Sequence, residues 1–219
     1  MEKTALIIGA SRGLGRGLVG EFARLGFAVT ATVRDPAAAP PEATQTLICD
    51  ITNDVAVAAL AATLHGKQFG IVFVNAGVYG PREDIPETTT ADAFHHLFWT
   101  NAVAPIRVLN ALHGNLAPDG VLALMTSRMG SNALNTGGGD MYRASKAALN
   151  SLVLSWAARA KPTQPVLCVH PGWVRTDMGG ANATLSVEES VRGMAALCLG
   201  AAGSTGVAFK DYAGATLTW

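Results

Sequence analysis

The stretch Ala5-Leu6-Ile7-Ile8-Gly9-Ala10-Ser11-Arg12-Gly13-Leu14-Gly15 decides how the rest of the chain is read. Four apolar residues with no polar alternation predict a strand buried on both faces. Glycines at 9, 13 and 15 follow, and helical spacing runs over residues 14–25. Glycines in a strand-to-helix turn let the backbone turn tightly and approach a pyrophosphate, whose charge is met by the helix N-terminus. A glycine-rich turn alone also fits an ordinary strand-to-helix connection, so the surrounding chain has to decide.

Working outward, similar apolar runs recur at residues 28–33, 46–49, 71–74, 121–125 and 166–169, with helical spacing between them at 54–64, 91–112, 142–160 and 187–199. Strand and helix alternate. This order predicts an α/β chain with one Rossmann-type, doubly wound, mostly parallel sheet of about seven strands and helices on both faces. With 219 residues the chain is read as one domain, residues 1–219. Pro36 to Pro41 reads as an Ala/Pro loop, and Gly137-Gly138-Gly139 as a second flexible point.

Composition narrows the function. Half the residues are hydrophobic and 15% are charged, which argues against disorder and for a large core. Sixteen basic residues balance sixteen acidic ones, so no basic field exists for nucleic acid or anionic lipid. Cys49, Cys168 and Cys198 lie far apart in apolar stretches and read as core residues of a reducing compartment. The N-terminal apolar run is too short for an export signal, and the uncharged stretch 193–209 is broken by glycines. A cytoplasmic protein without a membrane span is expected.

The glycine spacing differs from G-x-G-x-x-G and resembles the T-G-x-x-x-G-x-G loop of the short-chain dehydrogenase/reductase family, with Ile8 where that family usually has threonine. The resemblance continues in order through Asp50-Ile51, Asn75-Ala76-Gly77, Asn101, Ser127, Tyr142-Arg143-Ala144-Ser145-Lys146 and Pro171-Gly172 followed by Thr176. Within the family, the segments 127–131 and 142–150 are similar to the compact C-factor and carbonyl-reductase-like members.

The resemblance implies an oxidoreductase that interconverts a carbonyl compound and an alcohol by hydride transfer. Tyr142 would be the general acid/base, and Ser127 would hydrogen-bond the carbonyl oxygen. Lys146 would bind the nicotinamide ribose, while Asn101 would hold a water linking Lys146 to solvent. Gly9, Ser11, Arg12, Gly13, Leu14, Gly15, Asp50, Ile51, Asn75, Ala76, Gly77, Pro171, Gly172 and Thr176 would hold the dinucleotide.

Tyr142 and Lys146 stand four residues apart and so share a helix face; the ammonium is expected to lower the pKa of the phenol. Ser131 lies nearer Tyr142 in sequence than Ser127 does, but Ser127 follows the strand at 121–125, and catalytic groups gather beyond strand ends. For Asn101 the plain alternative is satisfying backbone groups of its own helix.

The cofactor turns on one position. Asp35 meets the bare count for an acid that reads the ribose of NAD, but the strand at 28–33 ends on apolar Val33 and Arg34 comes next. A guanidinium there suits the 2′-phosphate, with Arg12 in support, so NADP is expected over NAD. No metal is expected: His95 and His96 are adjacent and point apart, and His65, His113 and His170 lack ligand-spaced partners.

The short segment 178–186 predicts an open substrate pocket, with Tyr79, Met129, Met141, Trp173 and Trp219 as candidate walls. The expected partner is a small carbonyl or alcohol substrate. The apolar helices at 91–112 and 142–160 offer the surface a homodimer of this family would use. The alternative function is an NADP-binding regulatory or signalling protein of C-factor type with little turnover.

Overall fold

A computed structural model of the chain describes residues 2–81 and 85–219. Its strands are β1 (Thr4–Ile8), β2 (Ala28–Val33), β3 (Gln45–Ile48), β4 (Phe69–Val74), β5 (Leu116–Met125), β6 (Val166–His170) and β7 (Val207–Asp211). Between them run α1 (Gly13–Arg24), α2 (Asp54–Thr63), α3 (Ala91–Phe98), α4 (Ala104–Leu112), α5 (Asp140–Ala160) and α6 (Val187–Ala201). All neighbouring strands pair in parallel, in the order β3-β2-β1-β4-β5-β6-β7.

The apolar runs make sense in this sheet because both of its faces are covered. Leu6, Ile8, Val72, Val74, Leu122 and Leu124 point to one face, where Leu60 of α2, Leu109 of α4 and Val153 and Trp156 of α5 meet them. Ala5, Ile7, Ile71, Phe73, Val121 and Ala123 point to the other, against Leu18 and Phe22 of α1 and Met194 of α6. The three cysteines are buried and free, as expected of core residues.

Two elements differ from the sequence reading. The strand β7 is absent from the apolar runs because Lys210 and Asp211 interrupt it; the other edge strand, β3, carries no charged residue and was legible. The segment 91–112 is not one uniform helix: Trp99–Val103 forms a π-helical turn between α3 and α4. Single π turns of this kind concentrate at functional sites, and this one contains Asn101. Among the described residues no helix is long and apolar enough to cross a membrane.

Candidate active site

The chain leaves β1 first toward β2 and later returns on the other side, toward β4. Strand order therefore reverses at β1, and a crevice forms beyond the strand ends there. Most of the expected dinucleotide residues line this cleft: Gly9, Ser11, Arg12, Gly13 and Leu14 from the first turn, and Arg34 and Asp50-Ile51 after β2 and β3. Asn75-Ala76-Gly77 comes from β4, Tyr142 and Lys146 from α5, and Pro171 and Thr176 from the loop after β6.

The glycine turn is locked by sterics. Gly9 has φ 87°, and a Cβ on it would stand 2.8 Å from the Cβ of Ala76. Gly15 does not line the cleft but packs behind the turn, where a Cβ would collide with the carbonyl oxygen of Gly9 and the amide of Asn75. That amide donates to the Gly9 oxygen at 2.7 Å, and the Gly9 N–H donates to the Thr32 hydroxyl at 3.0 Å. Bare backbone is thus held open to the cleft at the start of α1, the geometry an anionic phosphate needs.

Beyond β3, burial works against the charge of Asp50. Hydrogen bonds from the Thr52 N–H (2.9 Å) and hydroxyl (2.7 Å), with Arg34 and His96 nearby, outweigh it and hold the carboxyl below its ordinary value. Asp35 faces elsewhere: its carboxylate accepts from Ala37 N–H at 2.9 Å and caps a short 3₁₀ turn, Pro36–Ala38. Arg12 already has a partner, Asp177, at 2.9 Å across the cleft rim, with both side chains largely exposed. Gly172 stays outside the cleft, packed against Leu185 and Tyr212.

At the other end of the cleft α5 delivers Tyr142 and Lys146 on one face. The Lys146 ammonium donates to the Met125 carbonyl at 3.1 Å and stands 5.8 Å from the centre of the Tyr142 ring. Burial lowers its pKa to about 8, with the Cys168 thiol opposing that shift. Tyr142 moves against expectation: burial raises its pKa, a hydrogen bond with Ser127 offsets only part of this, and Tyr79 adds to the rise. At this separation the ammonium does not overcome the desolvation of a phenolate.

Ser127 follows β5 as expected, is 7% exposed, and its hydroxyl also accepts from Met129 N–H at 3.1 Å. Ser131 is committed elsewhere, accepting from Leu134 N–H at 3.1 Å. Neither Ser127 nor Asn101 lines the cleft itself. Asn101 is fully buried and does not serve its own helix: its amide group exchanges hydrogen bonds with both backbone groups of Val78, at 2.8 and 2.7 Å, and donates to the Ser145 hydroxyl at 3.0 Å. It ties the π turn to the loop after β4 and to α5.

The candidate pocket walls divide. Tyr79 stacks on Tyr142 with ring centres 4.5 Å apart, and Met129 lies beside Gly139 and Tyr79. Trp173 instead donates to the Gly179 carbonyl, and Trp219 packs on Phe209 while its carbonyl accepts from Ala133. Met141 is core. Sequence reasoning missed His96, Thr52, Thr100 and Met178 as cleft residues. Only Thr52 left a signal, since Asp-x-Thr is a local turn pattern. His170 keeps an unpartnered buried Nδ1, and burial with Arg128 nearby, against the opposing pull of Asp211, lowers its pKa to about 4.

Comparison with known proteins agrees with this geometry. A short chain dehydrogenase family model matches residues 3–185. C-signal of Myxococcus xanthus is 41% identical over 153 residues, which cover 68% of this chain and 92% of that protein. A carbonyl reductase from Pseudomonas aeruginosa PAO1, solved in complex with NADP, is 38% identical with a TM-score of 0.90, and all of both chains is covered. The carbonyl reductase Sniffer of D. melanogaster is 28% identical with a TM-score of 0.83, again over all of both chains. With the motifs, the sheet order and the matched length in agreement, this chain belongs to the short-chain dehydrogenase/reductase family and is an oxidoreductase of that family.

Proposed function

We propose that the chain is a one-domain, NADP-dependent carbonyl reductase acting on a small aldehyde or ketone, with Tyr142 as general acid in reduction and general base in the reverse direction. The observation that carries this reading is that Tyr142 and Lys146, with Ser127 just behind Tyr142, stand at one end of a cleft whose other end is a backbone anion cradle. The cradle fits a dinucleotide, because side chains at Gly9 or Gly15 would collide with Ala76, the Gly9 carbonyl and the Asn75 amide and break the turn that presents its backbone to the cleft. Arg34 at the cleft favours the 2′-phosphate of NADP, and the committed carboxylate of Asp35 argues against reading the ribose of NAD.

When bound, NADPH supplies the hydride. The chain's own residues handle the proton. Burial keeps the Tyr142 phenol protonated at neutral pH, so it is ready to donate to a carbonyl oxygen. Ser127, beside the phenol, can aim its hydroxyl donor at the same oxygen and stabilise developing charge there. Lys146 is charged at neutral pH but near its transition, which suits it to hold the ribose hydroxyls and to return a proton to Tyr142. Asn101 fixes the Val78 backbone beside them.

A cytoplasmic location fits this chemistry. Phe94 and Leu154, exposed on α3 and α5, mark the face we assign to a homodimer. The similarity to C-signal favours a second reading, an NADP-binding signalling protein with little turnover; a pure binder, however, needs the cradle and not the Ser127–Tyr142 pair. A panel of aldehydes and ketones followed by NADPH absorbance separates the two. We expect NADPH consumption with several members and far less with NADH. NADPH that binds but is not consumed by any member overturns the reductase reading.

A further inference from the structure

Tyr79 lies in the loop leaving β4, close after Gly77, and its ring stacks on Tyr142 with centres 4.5 Å apart and planes 20° apart. Stacked aromatic pairs gain more than the area they bury and fix the relative angle of the two rings. The far end of Tyr79 is fixed as well. A Cβ on Gly139, the residue immediately before α5, would stand 2.9 Å from the Tyr79 hydroxyl and 2.8 Å from Cε of Met129. Gly139 holds φ 66°, and the guanidinium of Arg143 donates to the carbonyls of Gly138 (2.7 Å) and Gly137 (3.0 Å), tying that glycine turn to the helix. Tyr79 is therefore lodged between the turn that starts α5 and the ring that α5 presents.

We propose that Tyr79 is a positioning residue for the reaction: stacked on Tyr142 and seated against Gly139 and Met129, it sets the angle of the Tyr142 phenol and keeps water from that side of it. This rests on the proposed role of Tyr142. Among the described residues, the titratable and charged groups facing Tyr142 are Lys146 on its own helix and Tyr79 from the loop after β4, with the Cys168 thiol of β6 beside Lys146. Ser127 adds a hydrogen bond from the loop after β5. Of these, Tyr79 is the aromatic group in stacking contact with the ring.

The test compares Tyr79→Leu with Tyr79→Phe in the full chain. Removing the ring should lower kcat by about tenfold through lost orientation while KM and NADPH affinity stay within about twofold. Tyr79→Phe, which keeps the stack, should recover most of that loss. A spectroscopic signature accompanies the kinetics, since the chain has 3 tyrosines and the phenolate of one can be isolated by subtracting the spectrum of Tyr142→Phe. In the parent, Tyr142 should stay un-ionised well above the ordinary tyrosine range; in Tyr79→Leu its titration should move toward the ordinary value of about 10. An unchanged kcat, a change confined to KM, or an unmoved titration overturns the proposal.

Should Tyr79→Leu fail to bind NADPH, Gly139→Ala displaces the seated hydroxyl end instead and should lower kcat in the same sense; no loss there overturns the proposal equally. An active Tyr142→Phe would overturn the proposed role of Tyr142 rather than this inference alone.

Discussion

The two ends of the cleft are built by different means. At the end proposed for the dinucleotide the cleft is lined by backbone of the turn at Gly9 to Gly13, held by the side chain of Asn75 and flanked by the segment Asp50 to Thr52, all within a few residues of a strand end. At the end proposed for the substrate the site is made by side chains brought together from far apart in sequence. Tyr79 leaves β4, Ser127 leaves β5, Tyr142 and Lys146 ride on α5, and Asn101 binds the group from a π turn. A backbone site tolerates few substitutions because any side chain enlarges it. A side-chain site can lose its chemistry and keep its shape.

That contrast sets the order of effects. The largest should come from Tyr142→Phe: kcat falls roughly 10²- to 10⁴-fold, the range for removing a positioned acid, while NADPH titration and thermal unfolding match the parent. A loss of cofactor affinity of similar size would erase the distinction between the two ends. Gly15→Ala should do the reverse. Its methyl meets the Gly9 carbonyl and the Asn75 amide, so overpacking should cost about 1–3 kcal/mol of stability and weaken NADPH binding. Denaturant unfolding and cofactor titration check both, and a variant as stable as the parent with normal affinity would show the turn to be looser than its contacts indicate.

The smallest effect should fall on Arg34→Leu. Arg34 is exposed, so solvent screens its bond to a 2′-phosphate; kcat/KM with NADPH should drop about tenfold and with NADH hardly change. Equal losses for both cofactors would mean that Arg34 only supports the turn. A parent that prefers NADH would give Asp35 the reading role after all.

The same contrast explains how much the sequence disclosed. Strands buried on both faces write themselves as unbroken apolar runs, so the five interior strands and the glycine turn were legible, as was edge strand β3 from its run at 46–49, whereas edge strand β7, interrupted by Lys210 and Asp211, was not. Tyr142 and Lys146 were legible because helical spacing puts them on one face and the ordered family motifs around them mark that face. The direction of the Tyr142 shift was not, since spacing reveals a neighbouring charge but not the depth of burial that outweighs it. Nor could spacing show that Arg12 meets Asp177, or that Trp173 and Trp219 are occupied by Gly179 and Phe209. Those are contacts between loops, set by the tertiary fold.

The strand order also governs how the molecule comes into being. A chain emerging from its N-terminus can pair β1 with β2 and β2 with β3, yet the far edge of β1 stays unpaired until β4, which begins at Phe69, arrives. Non-local parallel pairing of this sort is slow, and an open apolar edge invites pairing with other chains in the meantime. Docking of β4 beside β1 closes that edge and, in the same event, sets Asn75 against the glycine turn. The step that closes the edge of β1 is therefore also the step that completes the glycine turn, and it passes the free edge on to β4, where β5 pairs next.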